Sequence, residues 1–324
     1  MHPFTEPIPL DAIRAARAHV AGAALRTPLV RLEVDVVDNA PAEIFLKLEN
    51  LQPIGSFKLR GASNAIALAP HAALARGVWT ASAGNMAQGV AWQARHQGLQ
   101  CTVVAPDHAP ETKLAALDRL GAKVIQIPFA EWFEILRTHC YEGMEGFFIH
   151  PVSDPAVMAG NGTIGLEILE DLHDVDAIVV PYGGGGLSCG IASAVKALKP
   201  DTRVYAAEVE TAAPFGASLA AGSPQQVSYT ASFVDGIGGP FVLPEIWPLA
   251  RKLLDGSLVS TLAEIAAAIR LLVERNHVVA EGAGAASVAA ALSGKAGAGK
   301  VVCIVSGGNI DAKKLAAILS GQLP

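Results

Sequence analysis

Ala177-Ile178-Val179-Val180-Pro181-Tyr182-Gly183-Gly184-Gly185-Gly186-Leu187-Ser188 joins an apolar run, four consecutive glycines and the start of a helical window. A strand handed to a helix through a glycine turn is the repeating unit of an α/β protein. Outward from this stretch, the same alternation runs almost from end to end. Strand-like runs lie at 44–48, 78–81, 101–104, 123–127, 147–149, 177–180, 203–206 and 301–305. Helical windows lie at 57–69, 86–97, 111–120, 187–198, 262–276 and 311–319. Asp107 to Pro110 before Glu111, and Asp311 after a glycine turn, are helix-start signals. The expected architecture is α/β with mostly parallel sheets. The first 26 residues read as an arm and a helix outside the alternation. No Gly/Ser linker divides the chain, so two domains would be interleaved rather than strung in series.

Composition narrows the function classes. The chain has 324 residues, 51% of them hydrophobic and 17% charged, and a net charge of -6. That length allows one large or two ordinary domains, with core enough to fold without a disulfide or metal staple. The mild acidity argues against a nucleic-acid partner. Mean hydropathy is +0.38, yet no uncharged apolar stretch approaches the roughly 20 residues of a spanning helix. The opening residues Met1 to Glu6 lack a basic region followed by an apolar block, so no signal peptide is read there. Cys101, Cys140, Cys189 and Cys303 are scattered without a C-x-x-C, which fits reduced thiols. A soluble cytoplasmic protein with no membrane partner is expected.

The glycines at 183–186 have two readings. One is a tight strand–helix turn, for which a single glycine suffices. The other is an anion site, because bare N–H groups at a helix N-terminus suit a phosphate. They are not a dinucleotide fingerprint: G-x-G-x-x-G counted from Gly183 ends on Ser188, and counted from Gly184 it ends on Cys189. A near P-loop from Gly294 to Val301 also fails, since Val301 replaces the magnesium-binding hydroxyl and the segment precedes a strand. Two more glycine turns end strands in the same style, one at Ser82 to Met86 and one at Ser306 to Asn309. Ligands of open α/β folds collect at the carboxyl ends of the strands. Three such turns point to one shared site for an anionic small molecule.

After strand 44–48 comes Gly55-Ser56-Phe57-Lys58-Leu59-Arg60-Gly61-Ala62, which places Lys58 at a helix start. A partly desolvated lysine there has a lowered pKa and acts as a nucleophilic amine. An ordinary surface lysine on a helix is the plain alternative. Together with the three turns, this octapeptide resembles the lysine motif of the serine/threonine dehydratases. These belong to the tryptophan-synthase-β-like (fold type II) enzymes that use pyridoxal phosphate (PLP). Ser82-Ala83-Gly84-Asn85 resembles their substrate-carboxylate loop and the tetraglycine their phosphate cup. Ser306-Gly307-Gly308-Asn309 resembles the turn that meets the pyridine nitrogen. His150-Pro151 and Ala159-Gly160-Asn161-Gly162-Thr163-Ile164 also resemble the family, and the likeness runs from about residue 27 to the end.

The resemblance implies PLP fold type II, with two interleaved open α/β domains and mostly parallel sheets. Residues 1–76 with 151–324 would form the large cofactor-binding domain, and 77–150 a small inserted one. Pyridoxal 5'-phosphate is the implied cofactor, and Lys58 and Ser56 are the implied catalytic residues. Lys58 would hold the cofactor as a Schiff base and then take the Cα proton. Phe57, Asn85, Gly183, Gly184, Gly185, Gly186, Leu187, Glu281 and Ser306 would bind the cofactor. Ser82, Ala83, Gly84, Asn85 and Met86 would bind the substrate. A neutral serine at the ring nitrogen does not enforce a protonated pyridinium, which favours rapid loss of a β-hydroxyl. The implied activity is conversion of a β-hydroxy-L-amino acid, by default threonine or serine, to a 2-oxo acid and ammonia by a homodimer. The rivals are a dehydratase for L-threo-phenylserine or hydroxyaspartate, a β-replacement synthase, and a non-catalytic module for a phosphorylated ligand.

Some positions depart from the family pattern. Met86 stands where the family has His, which is either a neutral swap or the mark of a less polar, roomier pocket. Trp132 and Phe133 would line such a pocket or belong to the core. Ala83 stands where serine racemases carry a second serine, so racemisation is not expected. Glu208 matches a metal-site glutamate, but Pro214 falls where an aspartate partner belongs. Glu210 is then a substitute or a solvated carboxylate, and no metal is expected. With no room after Pro324 for a feedback domain, the chain resembles the short, catabolic type.

Overall fold

The computed structural model describes residues 3–33, 42–109 and 111–324, so Met1, His2 and Pro110, with the signals read at them, lie outside the described residues. Five strands come early in the chain: β1 (Leu29–Arg31), β2 (Ala42–Lys47), β3 (Val78–Ala81), β4 (Cys101–Pro106) and β5 (Lys123–Ile127). Five follow: β6 (Phe147–Phe148), β7 (Ala177–Pro181), β8 (Arg203–Val209), β9 (Gly256–Ser260) and β10 (Gly299–Ile304). They form a six-stranded sheet ordered β1-β2-β10-β7-β8-β9 and a four-stranded sheet ordered β5-β4-β3-β6. Only the β1–β2 pair is antiparallel among the described residues. The α/β architecture with mostly parallel sheets is therefore the observed one.

β7 shows why the central strands read as unbroken apolar runs. All five of its residues are buried. Ile178 and Val180 join one apolar cluster while Ala177 and Val179 join another, the alternation a pleated strand imposes. β8 and β10 divide in the same way, Val204, Ala206, Val302 and Ile304 against Ala207, Val209, Val301 and Cys303. Helices cover both faces, as a parallel sheet requires. Leu10–Val20, Pro155–Asp171 and Gly186–Leu198 supply one cluster, and Leu262–Asn276 and Gly282–Leu292 the other. The edge strand β5 is polar at Lys123 and Gln126, which blunts an open ladder.

One helix organises the site. Pro155–Asp171 begins on Asp154, whose carboxylate accepts the N–H groups of Ala156 (2.7 Å) and Val157 (3.3 Å), with proline at the first helical position. It lies against both Lys58–Leu68 and Gly186–Leu198. Backbones come this near because Gly160 faces the Arg60 carbonyl and Gly190 the Met158 carbonyl, where a Cβ would collide. The lysine helix and the tetraglycine helix are thereby locked to one support. No helix among the described residues is long and apolar enough to cross a membrane.

Candidate active site

Four turns meet at the carboxyl ends of parallel strands. The segment Gly55–Lys58 follows β2, Ser82–Asn85 follows β3, Gly183–Gly186 follows β7, and Ser306–Asn309 follows β10. Ser56 and Gly307 pair in an antiparallel bridge. Phe57 donates its N–H to the Ser306 carbonyl (3.0 Å), and Gly308 donates to the Gly55 carbonyl (2.9 Å). The lysine segment is thus stitched to the turn after β10. Ser56 Oγ is buried and has no partner among the described residues, a hydroxyl left to meet a ligand.

Lys58 opens its helix, half-buried, with Nζ donating to the Pro151 carbonyl (2.8 Å) and lying 5.1 Å from the Phe57 ring centroid. Burial pushes its amine down to about 8, and Glu281 pulls the other way. Glu281 is itself buried, and burial together with Asp235 pushes its carboxyl up to about 7. Its Oε1 accepts from Asn85 Nδ2 (2.8 Å), while Asn309 Nδ2 donates to Asn85 Oδ1 (2.8 Å) and to the Ile54 carbonyl (2.9 Å). Asn85 keeps one N–H and one lone pair for a ligand. Replacing Glu281 with Gln removes the partner that raises the Lys58 amine. The pH profile of cofactor uptake is then expected to move to lower pH, as read by absorbance after PLP is added to apoenzyme.

The tetraglycine turn carries free donors. The N–H groups of Gly183, Gly184 and Gly185 donate to nothing among the described residues, and those of Gly186 and Leu187, at the helix start, have no intrahelical acceptor. The turn also has a packing reason that the sequence reading did not weigh. Gly185 has φ +94, and a Cβ on Gly184 would lie 2.7 Å from both methyl groups of Val152. Gly184→Ala is expected to weaken PLP binding about tenfold, and adding Val152→Ala to restore it. Fluorescence titration of the two variants decides this.

The turn after β3 reaches the same place through Asn85. Ser82 Oγ accepts the Gly84 N–H (3.2 Å), and the helix Asn85–His96 begins at once, presenting its first N–H groups. These suit a carboxylate. Orphaned hydroxyl, uncommitted N–H groups and desolvated amine together fit a phosphorylated aldehyde cofactor. The family described as pyridoxal-phosphate dependent enzyme matches residues 20–307. The chain belongs to that family. The enzyme is 42% identical to an L-threonine ammonia-lyase of Thermotoga maritima over 98% of this chain and 79% of that one. It is 39% identical to the catabolic L-threonine dehydratase TdcB of Escherichia coli over 96% of each chain. Maize serine racemase superposes with a TM-score of 0.87 at 33% identity, with 98% of both chains covered. Threonine deaminase isoform 2 of Solanum lycopersicum superposes at 0.83 and 30% identity, with 99% of both covered. The fold is thus that of the type II PLP enzymes, and pyridoxal phosphate is the enzyme's cofactor.

Several expectations need correction. The Met86 side chain does not line the turn: it is buried with Ala62, Ile66, Val90 and Val157 in an apolar cluster. Its swap for histidine therefore changes the core, and the argument for a roomier pocket falls away. Trp132 is half-buried and donates Nε1–H to the Val104 carbonyl (3.2 Å), and Phe133 meets Phe241 edge-on at 5.2 Å. Glu208 is buried, and its carboxylate accepts the N–H groups of Phe215 and Gly216 (both 2.8 Å) and the Ser257 hydroxyl (2.5 Å). Pro214 is thus the first residue of a helix, Pro214–Ala221, rather than a missing ligand. Glu210 is exposed, as the solvated-carboxylate reading expects, and it accepts the Leu262 N–H (2.7 Å) at the start of another helix. Glu208→Ala is expected to lose about 1–3 kcal/mol by urea denaturation, because the buried Phe215 N–H and the half-buried Gly216 N–H are left unpaired.

Asn309 and Pro151 also belong to the candidate site by their hydrogen bonds, and the sequence assigned neither a role. Asn309 links the lysine segment to Asn85, and an amide side chain closing a glycine turn was the available signal. Pro151 left none, because its contribution is a carbonyl.

Proposed function

We propose that the enzyme converts L-threonine or L-serine to the 2-oxo acid and ammonium. The observation that carries this reading is the joining of Lys58, Asn85, the tetraglycine turn and Ser306 at one place, in a chain about 40% identical to named threonine ammonia-lyases. When bound, the cofactor supplies an electron sink for the pair left by the Cα–H bond. Gly183, Gly184, Gly185, Gly186 and Leu187 would hold its phosphate through their N–H groups, Phe57 and Glu281 would border it, and Asn85 and Ser306 would supply polar contacts to its ring. Ser56, Ser82, Ala83 and Gly84, with the backbone of Met86, orient the substrate carboxylate. Lys58 Nζ accepts the Cα proton, and the β-hydroxyl leaves as water. Hydrolysis of the resulting enamine returns one water and releases ammonium, so substrate and products balance. The four-stranded sheet belongs to a small domain of residues 77–150, and residues 1–76 with 151–324 form the other. The enzyme acts as a cytoplasmic homodimer.

The racemase alternative lacks a residue. Ala83, at the position where serine racemases carry a second serine, has no proton-bearing group. The decisive assay is 2-oxo acid release from L-serine, L-threonine, L-threo-phenylserine and hydroxyaspartate, with D-serine measured alongside. Release from the first two without D-serine supports the reading. Turnover only with an added thiol nucleophile would assign a β-replacement synthase instead, and a colourless protein a phospho-ligand module.

A further inference from the structure

The buried ring of His150 stands one residue before the carbonyl that holds Lys58. His150 Nδ1 accepts two N–H groups, from Val152 (3.0 Å) and Ser153 (2.6 Å), and Nε2 lies 3.1 Å from the Leu136 carbonyl. This pattern assigns the neutral tautomer with hydrogen on Nε2. Burial and the stacked His139 ring, 4.3 Å away, keep it neutral by pushing its pKa down to about 3. One acceptor thus gathers residues 151–153 into a turn. Pro151 has no N–H to compete, and its carbonyl takes the Lys58 amine. Val152 lies against the tetraglycine: a Cβ on Gly184 would meet its methyl groups at 2.7 Å, and one on Gly186 its carbonyl at 2.8 Å.

We propose that His150 is a positioning residue, whose Nδ1 sets both the carbonyl that aims the Lys58 amine and the side chain that fixes the phosphate turn. This inference rests on the reading of Lys58 and residues 183–186 as cofactor-holding. His150 touches neither substrate nor cofactor and acts through Pro151 and Val152.

The test compares His150→Leu with His150→Asn. Asn Oδ1 stands at the same number of bonds from the backbone as Nδ1 and still accepts both N–H groups, while both variants lose the bond to Leu136. PLP is added to each apoenzyme, and the growth of yellow absorbance and its pH dependence are followed beside thermal unfolding. His150→Leu is expected to take up cofactor about tenfold more slowly, with His150→Asn within a factor of about three of wild type. Uptake by His150→Leu equal to wild type overturns the inference, as does His150→Asn being equally slow. Should His150→Leu not fold, nitrogen NMR of histidine-labelled wild type decides: an unprotonated, hydrogen-bonded Nδ1 at neutral pH agrees, and a protonated Nδ1 overturns. Colour in wild type and its loss in Lys58→Ala judge the underlying reading separately.

Discussion

Lys58→Ala yields a protein that keeps no yellow colour once free PLP is removed and loses turnover by at least about a thousandfold. Two losses coincide, that of the amine that holds the cofactor and that of the base that takes the Cα proton. The Lys58 environment makes the result specific. Its amine is brought down to about 8 by burial, so a far larger neutral fraction is present near neutrality than for a solvated lysine near 10.4. In wild-type apoenzyme, cofactor uptake should therefore rise with pH and level off above about 8. Thermal unfolding of the alanine variant should match wild-type apoenzyme, since the side chain makes one backbone hydrogen bond. Retained turnover in Lys58→Ala would sink the mechanism.

The largest effect on stability is expected two residues further along. Arg60 is 1% exposed and meets two buried carboxylates in bidentate fashion. Nε and Nη2 donate to Glu49 (both 2.8 Å), and Nη1 and Nη2 donate to Glu167 (2.6 and 2.9 Å). Lys47 Nζ completes the cluster on Glu167 (2.6 Å). Arg60→Ala leaves two carboxylates with too little countercharge and should cost roughly 3–5 kcal/mol by urea denaturation. Arg60→Lys should recover only part of this, because an ammonium cannot make the fork. The sign of the pH effect follows from Glu49. Burial alone would raise its carboxyl, but Arg60 holds it below the usual carboxylate range. Its contribution is present above the ordinary carboxylate pKa and is lost as pH falls through the lower folded value. Arg60→Ala should thus flatten the acid limb of the stability curve. A loss below about 1 kcal/mol would contradict this account.

What the sequence disclosed follows from how local each signal is. β7 and its glycines are legible because strand, turn and helix are contiguous. β10 reads as 301–305 but spans Gly299–Ile304, since pairing with β2 begins at Gly299 against Ala42. β1, with three residues, and β9, with a mixed burial pattern, escape notice because partner strands define them rather than their own composition. Met86 did carry a signal: with Val90 and Ala94 it marks one helical face, and that periodicity outranks its place beside the turn. Pro214 did too, as a proline at a helix start. The Arg60 cluster left none, since Lys47, Glu49, Arg60 and Glu167 meet only through the fold.

The position of β10 has a consequence for how the enzyme is made. The last strand of the chain lies between β2 and β7, in the interior of the six-stranded sheet. The turn that follows it holds the lysine segment in place. During synthesis Lys58 leaves the ribosome early, while the strand and turn that complete its surroundings follow much later. An interrupted product ending before Gly299 carries the lysine without the site. Such fragments cannot sequester the vitamin-derived cofactor, and acquisition of colour reports that translation has reached the end of the sheet.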